Sequence, residues 1–180
     1  MLKYYFYKVE IIEYYPEFFT ATILEWKHLL IQDKYKAIIT NSLEYLTQQK
    51  RVRVYGFVIM SNHIHIIWQC MPNNKPKEIQ LSFMKFIAQM IIKDLRNNHP
   101  QVLEDFRVDA KDRKYQIWER NPLSIEIRSI ETLEEKLNYI HNNPVKANLC
   151  LLPEDYCFSS SAFYFAADKN TWNFIDHYRH

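Results

Sequence analysis

Two histidines separated by one residue, His63 and His65, lie in a predicted strand whose neighbouring residues Ile64, Ile66, Ile67 and Trp68 are apolar. Side chains of an extended chain alternate between faces, so both imidazoles should point the same way, roughly 6–7 Å apart along the strand. Two neutral imidazoles at that spacing can bind one metal ion. The competing interpretation is a pair of satisfied polar side chains on a half-exposed strand. The pair alone identifies no reaction.

A second polar group is predicted on a helix that begins at Ser129 or Thr132, residues that cap helices well. Its buried stripe consists of Leu133, Leu137 and Ile140. Tyr139 lies about 120° round the helix from that stripe, and Asn143 follows one turn later on the same side. Because Pro144 opposes helical continuation, Asn143 is expected at the helix end or just past it. A phenol beside a bound cation would suit phosphodiester transfer.

Apolar periodicity predicts the elements that must bring these groups together. Strands are expected over 17–26, 52–59, 63–70, 115–119 and 123–128, and helices over 33–49, 78–97 and from 129 or 132 onward. Segment 98–114 is expected to be a flexible loop. The order of elements predicts an α+β fold of the ferredoxin-like split β-α-β type, with a central antiparallel sheet and helices packed mainly on one face. A histidine pair on a central strand could then face a helix-borne tyrosine.

Composition indicates a single globular domain, since the chain has 180 residues, of which 48% are hydrophobic and 16% aromatic. The net charge is only +2, so nucleic-acid binding would need a local basic patch. The only glycine is Gly56, so turns with positive φ should rely on asparagine.

Three cysteines without a Cys-x-x-Cys spacing indicate a reducing compartment. The sequence shows neither a signal peptide nor an apolar run long enough to span a membrane. A cytoplasmic protein is therefore expected.

Helix 78–97 carries a stripe of polar side chains spaced three or four residues apart, namely Lys85, Gln89, Lys93 and Arg96. Such a stripe is usually a solvated face. It becomes a candidate phosphate-contacting surface only if the chain acts on nucleic acid.

Two motifs carry a resemblance to a known family. The segment Tyr55–Ile67, followed by Tyr139–Ala147, resembles the HUH-superfamily single-tyrosine transposases, and within them the REP-associated tyrosine transposases. The likeness extends from about Phe18 to the 156–160 region, and it includes Trp118 and the motif Phe83-x-Lys85-Phe86. Glu119 and residues 122–125 depart from the family pattern.

The resemblance implies a metal-dependent enzyme that cleaves and rejoins single-stranded DNA beside hairpins, without ATP, through a 5′-phosphotyrosine. By this resemblance Tyr139 is the nucleophile, and His63, His65 and Asn143 are metal ligands. Mg²⁺ or Mn²⁺ is the implied metal, although two imidazoles and an amide would also accept zinc. Residues 1–180 would form one HUH nuclease domain, with 1–16 as an N-terminal arm and 157–180 as a C-terminal extension.

The implied partner is single-stranded DNA with a hairpin, either REP-like or from an insertion-sequence end, and no membrane is implied. Candidate DNA contacts are Lys85, Lys93, Arg96 and Lys136. The resemblance leaves the oligomeric state undecided, because some members of the superfamily exchange tyrosine helices between two subunits, whereas the REP-associated branch is expected to be able to work alone. Monomer and homodimer therefore both remain open.

Two other functions stay open at this point. One is a hairpin-DNA-binding or regulatory protein that keeps the fold without cleaving. The other is a small metallohydrolase that would use His63, His65, a carboxylate and a bound water. The sequence offers no evident carboxylate at ligand spacing for the second.

Overall fold

The computed structural model describes residues 14–166 and 172–179. The elements in chain order are β1 (Glu17–Thr22), α1 (Asp33–Gln48), β2 (Val52–Ile59), β3 (His63–Cys70), α2 (Pro76–Asn98), α3 (Pro100–Glu104), β4 (Arg107–Ala110), β5 (Arg113–Tyr115), β6 (Leu123–Glu126), α4 (Ile130–Lys146) and α5 (Ser161–Phe165). Most of the predicted N-terminal arm, residues 1–13, lies outside the described part.

A four-stranded antiparallel sheet in the order β2-β3-β1-β6 forms the centre of the molecule. Strands β1 and β2 each pair antiparallel with β3, so they run parallel to each other with β3 between them. This is the split β-α-β arrangement. The predicted α+β fold class is confirmed.

Alternation along β3 divides the interior into two cores. Ile64, Ile66 and Trp68 pack in one core with the apolar faces of α1 and α2. Ile67 belongs to the second core, where α4 contributes Leu133, Leu137 and Ile140. Two long helices therefore share one face of the sheet, and α4 lies on the other face, the one to which the histidines point.

The predicted strands 52–59 and 63–70 agree with β2 and β3 residue for residue, but other segments differ. Strand β1 ends at Thr22, because the chain turns through positive φ at Glu25 and Trp26. Segment 98–114 contains α3 and the hairpin β4-β5 instead of a flexible loop, and it is anchored by the buried Leu103 and Phe106. Beyond Tyr115, the predicted strand 115–119 is reduced to a single bridge between Ile23 and Trp118.

Helix α4 begins after Ser129, whose Oγ accepts a hydrogen bond from the Thr132 backbone N–H at 3.2 Å. The prediction that the helix ends at Asn143 is wrong, because Pro144 lies inside it and the helix continues to Lys146. Proline costs the backbone one donor. Helical bonding resumes directly, since the Ala147 N–H donates to the Asn143 carbonyl at 3.0 Å.

The outer edge of β2 is covered by the segment that follows α4. Ser159 and Ile175 form isolated bridges with Val58 and Val54, so the edge strand is not left open.

Three of the positive-φ positions are Asn73, Asn121 and Asn148, as the scarcity of glycine predicts. Among the residues described, no helix has the length and apolar character required to cross a lipid bilayer.

The seating of α4 on β2 depends on Gly56. A Cβ at this position would lie 2.5 Å from Leu137 Cδ2 and 3.2 Å from Ile140 Cδ1. We expect Gly56→Ala to lower the free energy of unfolding by about 1–2 kcal/mol through overpacking, measured by urea denaturation. Arg53→Ala, at an exposed position of the same strand, serves as the control and should change it by less than about 0.5 kcal/mol. Equal stability of Gly56→Ala and wild type would contradict this close packing.

His141 ties α4 to the segment after it, because its buried Nε2 lies 2.8 Å from Ser160 Oγ. Burial lowers the pKa of His141 to about 4, whereas an unfolded chain protonates histidine near 6.5. Below that value the unfolded state binds the extra proton first, so acid destabilises the folded state. Between pH 7 and pH 5 this one group should remove about 2 kcal/mol of stability.

In His141→Gln we therefore expect a flatter dependence of unfolding free energy on pH over this range. Urea denaturation of both proteins at pH 7 and pH 5 measures the difference. An unchanged slope would mean that His141 is not the group whose protonation is suppressed by folding.

Candidate active site

Strand β3 presents His63 and His65 side by side on the face covered by α4. Their ring centroids are 4.9 Å apart, and the antiparallel register sets His63 opposite Thr22 and His65 opposite Thr20 on β1. His65 is 6% exposed, and its ring stacks on Phe18 with centroids 5.3 Å apart. The sequence-predicted pair is thus brought together on a rigid central strand.

Hydrogen bonds engage the same nitrogen on both rings. His63 Nδ1 lies 2.7 Å from Asn62 Oδ1, and His65 Nδ1 lies 2.7 Å from Thr20 Oγ1. Since an amide oxygen only accepts, His63 Nδ1 carries the proton and Nε2 holds the lone pair. Among the described residues no hydrogen bond to either Nε2 is formed. Such fixing of Nδ1 by a neighbour is typical of imidazoles that bind metals through Nε2.

Both imidazoles are biased towards the neutral form. Burial lowers the pKa of His63. Burial, reinforced by the neighbouring charge of His63, lowers the pKa of His65 to about 3. Because a metal ligand must be unprotonated, this environment suits cation binding at neutral pH.

Helix α4 brings Tyr139 to the histidines within the same chain. The Tyr139 ring centroid is 5.4 Å from that of His65 and 6.0 Å from that of Phe18. Tyr139 is 43% exposed, so the residue remains accessible from solvent. Lys146 Nζ lies 5.7 Å from the Tyr139 ring centroid and Lys136 Nζ 5.7 Å from that of Phe18. One lysine therefore lies over the Tyr139 ring and a second over the neighbouring ring of Phe18.

The other polar residues at the end of α4 have local partners. Asn143 Nδ2 donates to the Tyr139 carbonyl at 2.9 Å. Asn142 Nδ2 donates to the Asn138 carbonyl at 2.8 Å, and His141 faces the core. Burial gives His141 a packing role.

The residues fit a divalent cation only in part. In residues 14–166 and 172–179 no three His, Cys, Asp or Glu side chains are grouped so that they could hold one ion. A cation on the two Nε2 atoms would thus need other ligands, such as an amide oxygen, water or substrate oxygens. Asn143 is the amide one turn after Tyr139, and its Oδ1 accepts no hydrogen bond within residues 14–166 and 172–179.

The predicted DNA contacts divide between the two sides of the sheet. Lys136 lies on α4 near Tyr139. Lys85, Lys93 and Arg96 are exposed on α2, which packs against the opposite face of the sheet. The structure therefore brings one of the four cations to the candidate site and leaves three on a separate surface.

Sequence reasoning missed several residues at this site, including Phe18, Thr20, Trp26, Asn62 and Lys146. Lys146 could have been found, because seven residues are close to two helical turns and place it on the Tyr139 face. Nothing local distinguishes Thr20 or Phe18 from other residues of a strand. Their proximity to His65 arises only from the pairing of β1 with β3.

Trp26 stands in an unusual backbone segment beside His63. Glu25 and Trp26 have φ values of 54° and 58°, a left-handed conformation that costs a non-glycine residue about 1–3 kcal/mol. Two side chains support it. Glu119 Oε1 accepts from the Glu25 N–H at 2.6 Å, and Asn62 Nδ2 donates to the Trp26 carbonyl at 3.3 Å. Asn62 thus connects Trp26 to His63 through the two ends of one amide.

Comparison with known proteins finds similar proteins in sequence and in structure. No protein-family model matches the chain. A Haemophilus influenzae protein assigned to the REP-associated tyrosine transposases is 26% identical over 156 residues, which cover 81% of this chain and 84% of the relative. The structure of a REP-associated tyrosine transposase bound to a REP hairpin superimposes with a TM-score of 0.63 at 17% identity and covers 98% of both chains. The chain therefore resembles the REP-associated tyrosine transposases in sequence and in fold, and the resemblance predicted from its motifs is confirmed.

Proposed function

We propose that this protein is a transposase that cleaves and rejoins single-stranded DNA beside hairpins through a covalent 5′-phosphotyrosine on Tyr139. The observation that carries the proposal is the proximity of the Tyr139 ring to His65, 5.4 Å between centroids within one chain. The relative in sequence is assigned as a transposase, and the protein of similar fold was bound to a REP hairpin. These likenesses support hairpin DNA as the proposed class of substrate.

The proposed reaction conserves the number of phosphoester bonds. The Tyr139 oxygen attacks the phosphorus, the bond from phosphorus to the 3′ oxygen breaks, and that oxygen takes up a proton and leaves as a 3′-hydroxyl. Strand transfer is the reverse, in which a 3′-hydroxyl attacks the phosphotyrosine and returns the proton to Tyr139. No ATP is needed, because the covalent intermediate stores the bond energy.

His63, His65 and the Asn143 amide oxygen would hold a divalent cation, Mg²⁺ or Mn²⁺. When bound there, the cation would neutralise charge on the phosphate. The chain's own residues prepare this site, since Asn62 and Thr20 hold the rings by Nδ1 and leave Nε2 available. Lys146, beside the Tyr139 ring, would offset negative charge that develops on the phenol oxygen.

DNA binding would depend on local positive charge, because the net charge of the chain is only +2. Lys136 is the candidate contact for the strand at the site. Lys85, Lys93 and Arg96 form a separate exposed surface on α2 that could contact another part of a long substrate. We further propose that residues 1–180 act as one transposase domain in the cytoplasm, and that one chain suffices because its tyrosine reaches its own histidines.

A second function, hairpin binding without cleavage, has one observation in its favour. The described residues hold only two of the side chains that most often bind metals at this site. A protein of that kind would bind the same DNA and form no covalent product. Both functions predict hairpin binding, so cleavage decides between them.

Tyr139→Phe should abolish covalent attachment to DNA while leaving hairpin binding within about twofold, because only the phenol oxygen is removed. The measurement incubates the protein and Mn²⁺ with labelled single-stranded stem-loop DNA drawn from hairpins that flank its own gene. Adducts are detected by denaturing gel electrophoresis. Tyr45→Phe, a matched change at an exposed tyrosine of α1, should form adduct like wild type. Hairpin binding without any adduct in the wild-type protein would favour the second function.

Removing the imidazoles should remove the cation. In the Tyr139→Phe background, we expect His65→Ala to weaken Mn²⁺ binding by more than about tenfold, measured by titration calorimetry without DNA. His99→Ala, at an exposed histidine, is the control and should bind Mn²⁺ like its parent. Treatment of the wild-type protein with EDTA should stop adduct formation, and added Mn²⁺ should restore it. Unchanged Mn²⁺ affinity in His65→Ala would place the cation elsewhere.

A further inference from the structure

Trp26 is the most exposed tryptophan side chain in the described part of the chain. It is 60% exposed, whereas Trp68 and Trp118 are 2% and 6% exposed in the core. Single exposed apolar side chains are common on protein surfaces, so exposure alone has no meaning here. The exposure is relevant to function because the indole lies beside the candidate site, with its ring centroid 6.0 Å from that of His63.

The backbone that carries the indole is held by contacts, one of which also orients His63. Asn62 donates to the Trp26 carbonyl and accepts from His63 Nδ1. On the other side, Glu119 accepts the N–H of Glu25 and supports two consecutive left-handed residues. The chain therefore maintains an unfavourable backbone conformation whose result is an indole displayed at the rim of the candidate site.

From this geometry we propose that Trp26 stacks on an unpaired base of the DNA strand, next to the phosphate bound at His63 and His65. The inference rests on the proposed function and adds a substrate-positioning residue to it. A nucleobase is the occupant that fits, because an indole face binds any base by stacking and single-stranded DNA offers unstacked bases directly beside its phosphates. The acidic neighbour Glu25 is paired with Lys27 at 2.7 Å, which reduces its repulsion of that backbone.

Stacking of this kind tolerates any base, so Trp26 would fix the position of the strand without selecting its sequence. Its loss should therefore weaken binding and loosen the choice of the cleaved phosphate. It should not prevent chemistry on strands that are correctly placed.

Binding is tested first in the Tyr139→Phe background, so that cleavage does not interfere. The probe is a fluorescein-labelled DNA stem-loop with a single-stranded oligothymidine flank on each side, followed by anisotropy. We expect Trp26→Ala to bind about fivefold to a hundredfold more weakly and Trp26→Phe to bind within about threefold of its parent, because phenylalanine still stacks. Tyr45→Ala removes an equally exposed ring, 57% exposed on α1, and should bind like its parent.

The base is then located by replacing flank nucleotides one at a time with abasic sites. One abasic position should weaken binding to the parent and have no further effect on Trp26→Ala, since the two changes remove the same contact. The inference is overturned if Trp26→Ala binds like its parent, if Trp26→Phe is as weak as Trp26→Ala, or if abasic effects are the same in both proteins.

Failure of this inference is distinguishable from failure of the proposed function. Adduct formation by a protein with Tyr139 intact, combined with unaltered binding by Trp26→Ala, would remove only the stacking role. Loss of binding in Trp26→Ala, without any adduct from the wild-type protein, would keep the stacking role and favour hairpin binding without cleavage.

Discussion

The arrangement of the site depends on strand β3 being apolar on one face and imidazole-bearing on the other. Ile64, Ile66 and Trp68 are buried against α1 and α2, and this burial fixes the register of the strand. A slip of one residue would turn every side chain to the opposite face. The hydrophobic core therefore holds His63 and His65 on the α4 side of the sheet, where their own burial lowers the pKa of both imidazoles. Strand β3 therefore contributes both to the hydrophobic core and to the candidate active site.

Helix α4 completes the site from the opposite direction. Its apolar stripe packs against β2, where the absence of a Cβ at Gly56 leaves room for Leu137. That seating puts Tyr139 at the edge of the core, half-exposed and beside His65. Continuation of the helix through Pro144 brings Lys146 under the same ring. Because both groups stand on packed secondary structure, their relative position does not depend on a loop.

The irregular part of the site is the segment around Glu25 and Trp26. Non-glycine residues disfavour the positive φ angles found here, and contacts from the distant residues Asn62 and Glu119 stabilise them. Conflicts between local preference and final structure occur most often at functional sites. The site therefore combines regular secondary structure, in β3 and α4, with an irregular turn at Glu25 and Trp26. Regular elements hold the candidate catalytic groups, and a strained turn displays the candidate base-stacking ring.

The sequence by itself determined β2 and β3 to the residue, the long helices to within a few residues, the α+β class and the resemblance to a transposase family. These follow from periodicity and from motifs, which are local properties. Only the tertiary structure decided that α4 lies on the face opposite α1 and α2, that Lys85 is far from the histidines while Lys146 is near Tyr139, and that 98–114 is structured. Which face a helix covers depends on contacts between residues far apart in the chain. The passage of α4 through Pro144 has the same origin, since burial of the helix outweighs the one hydrogen bond that proline removes.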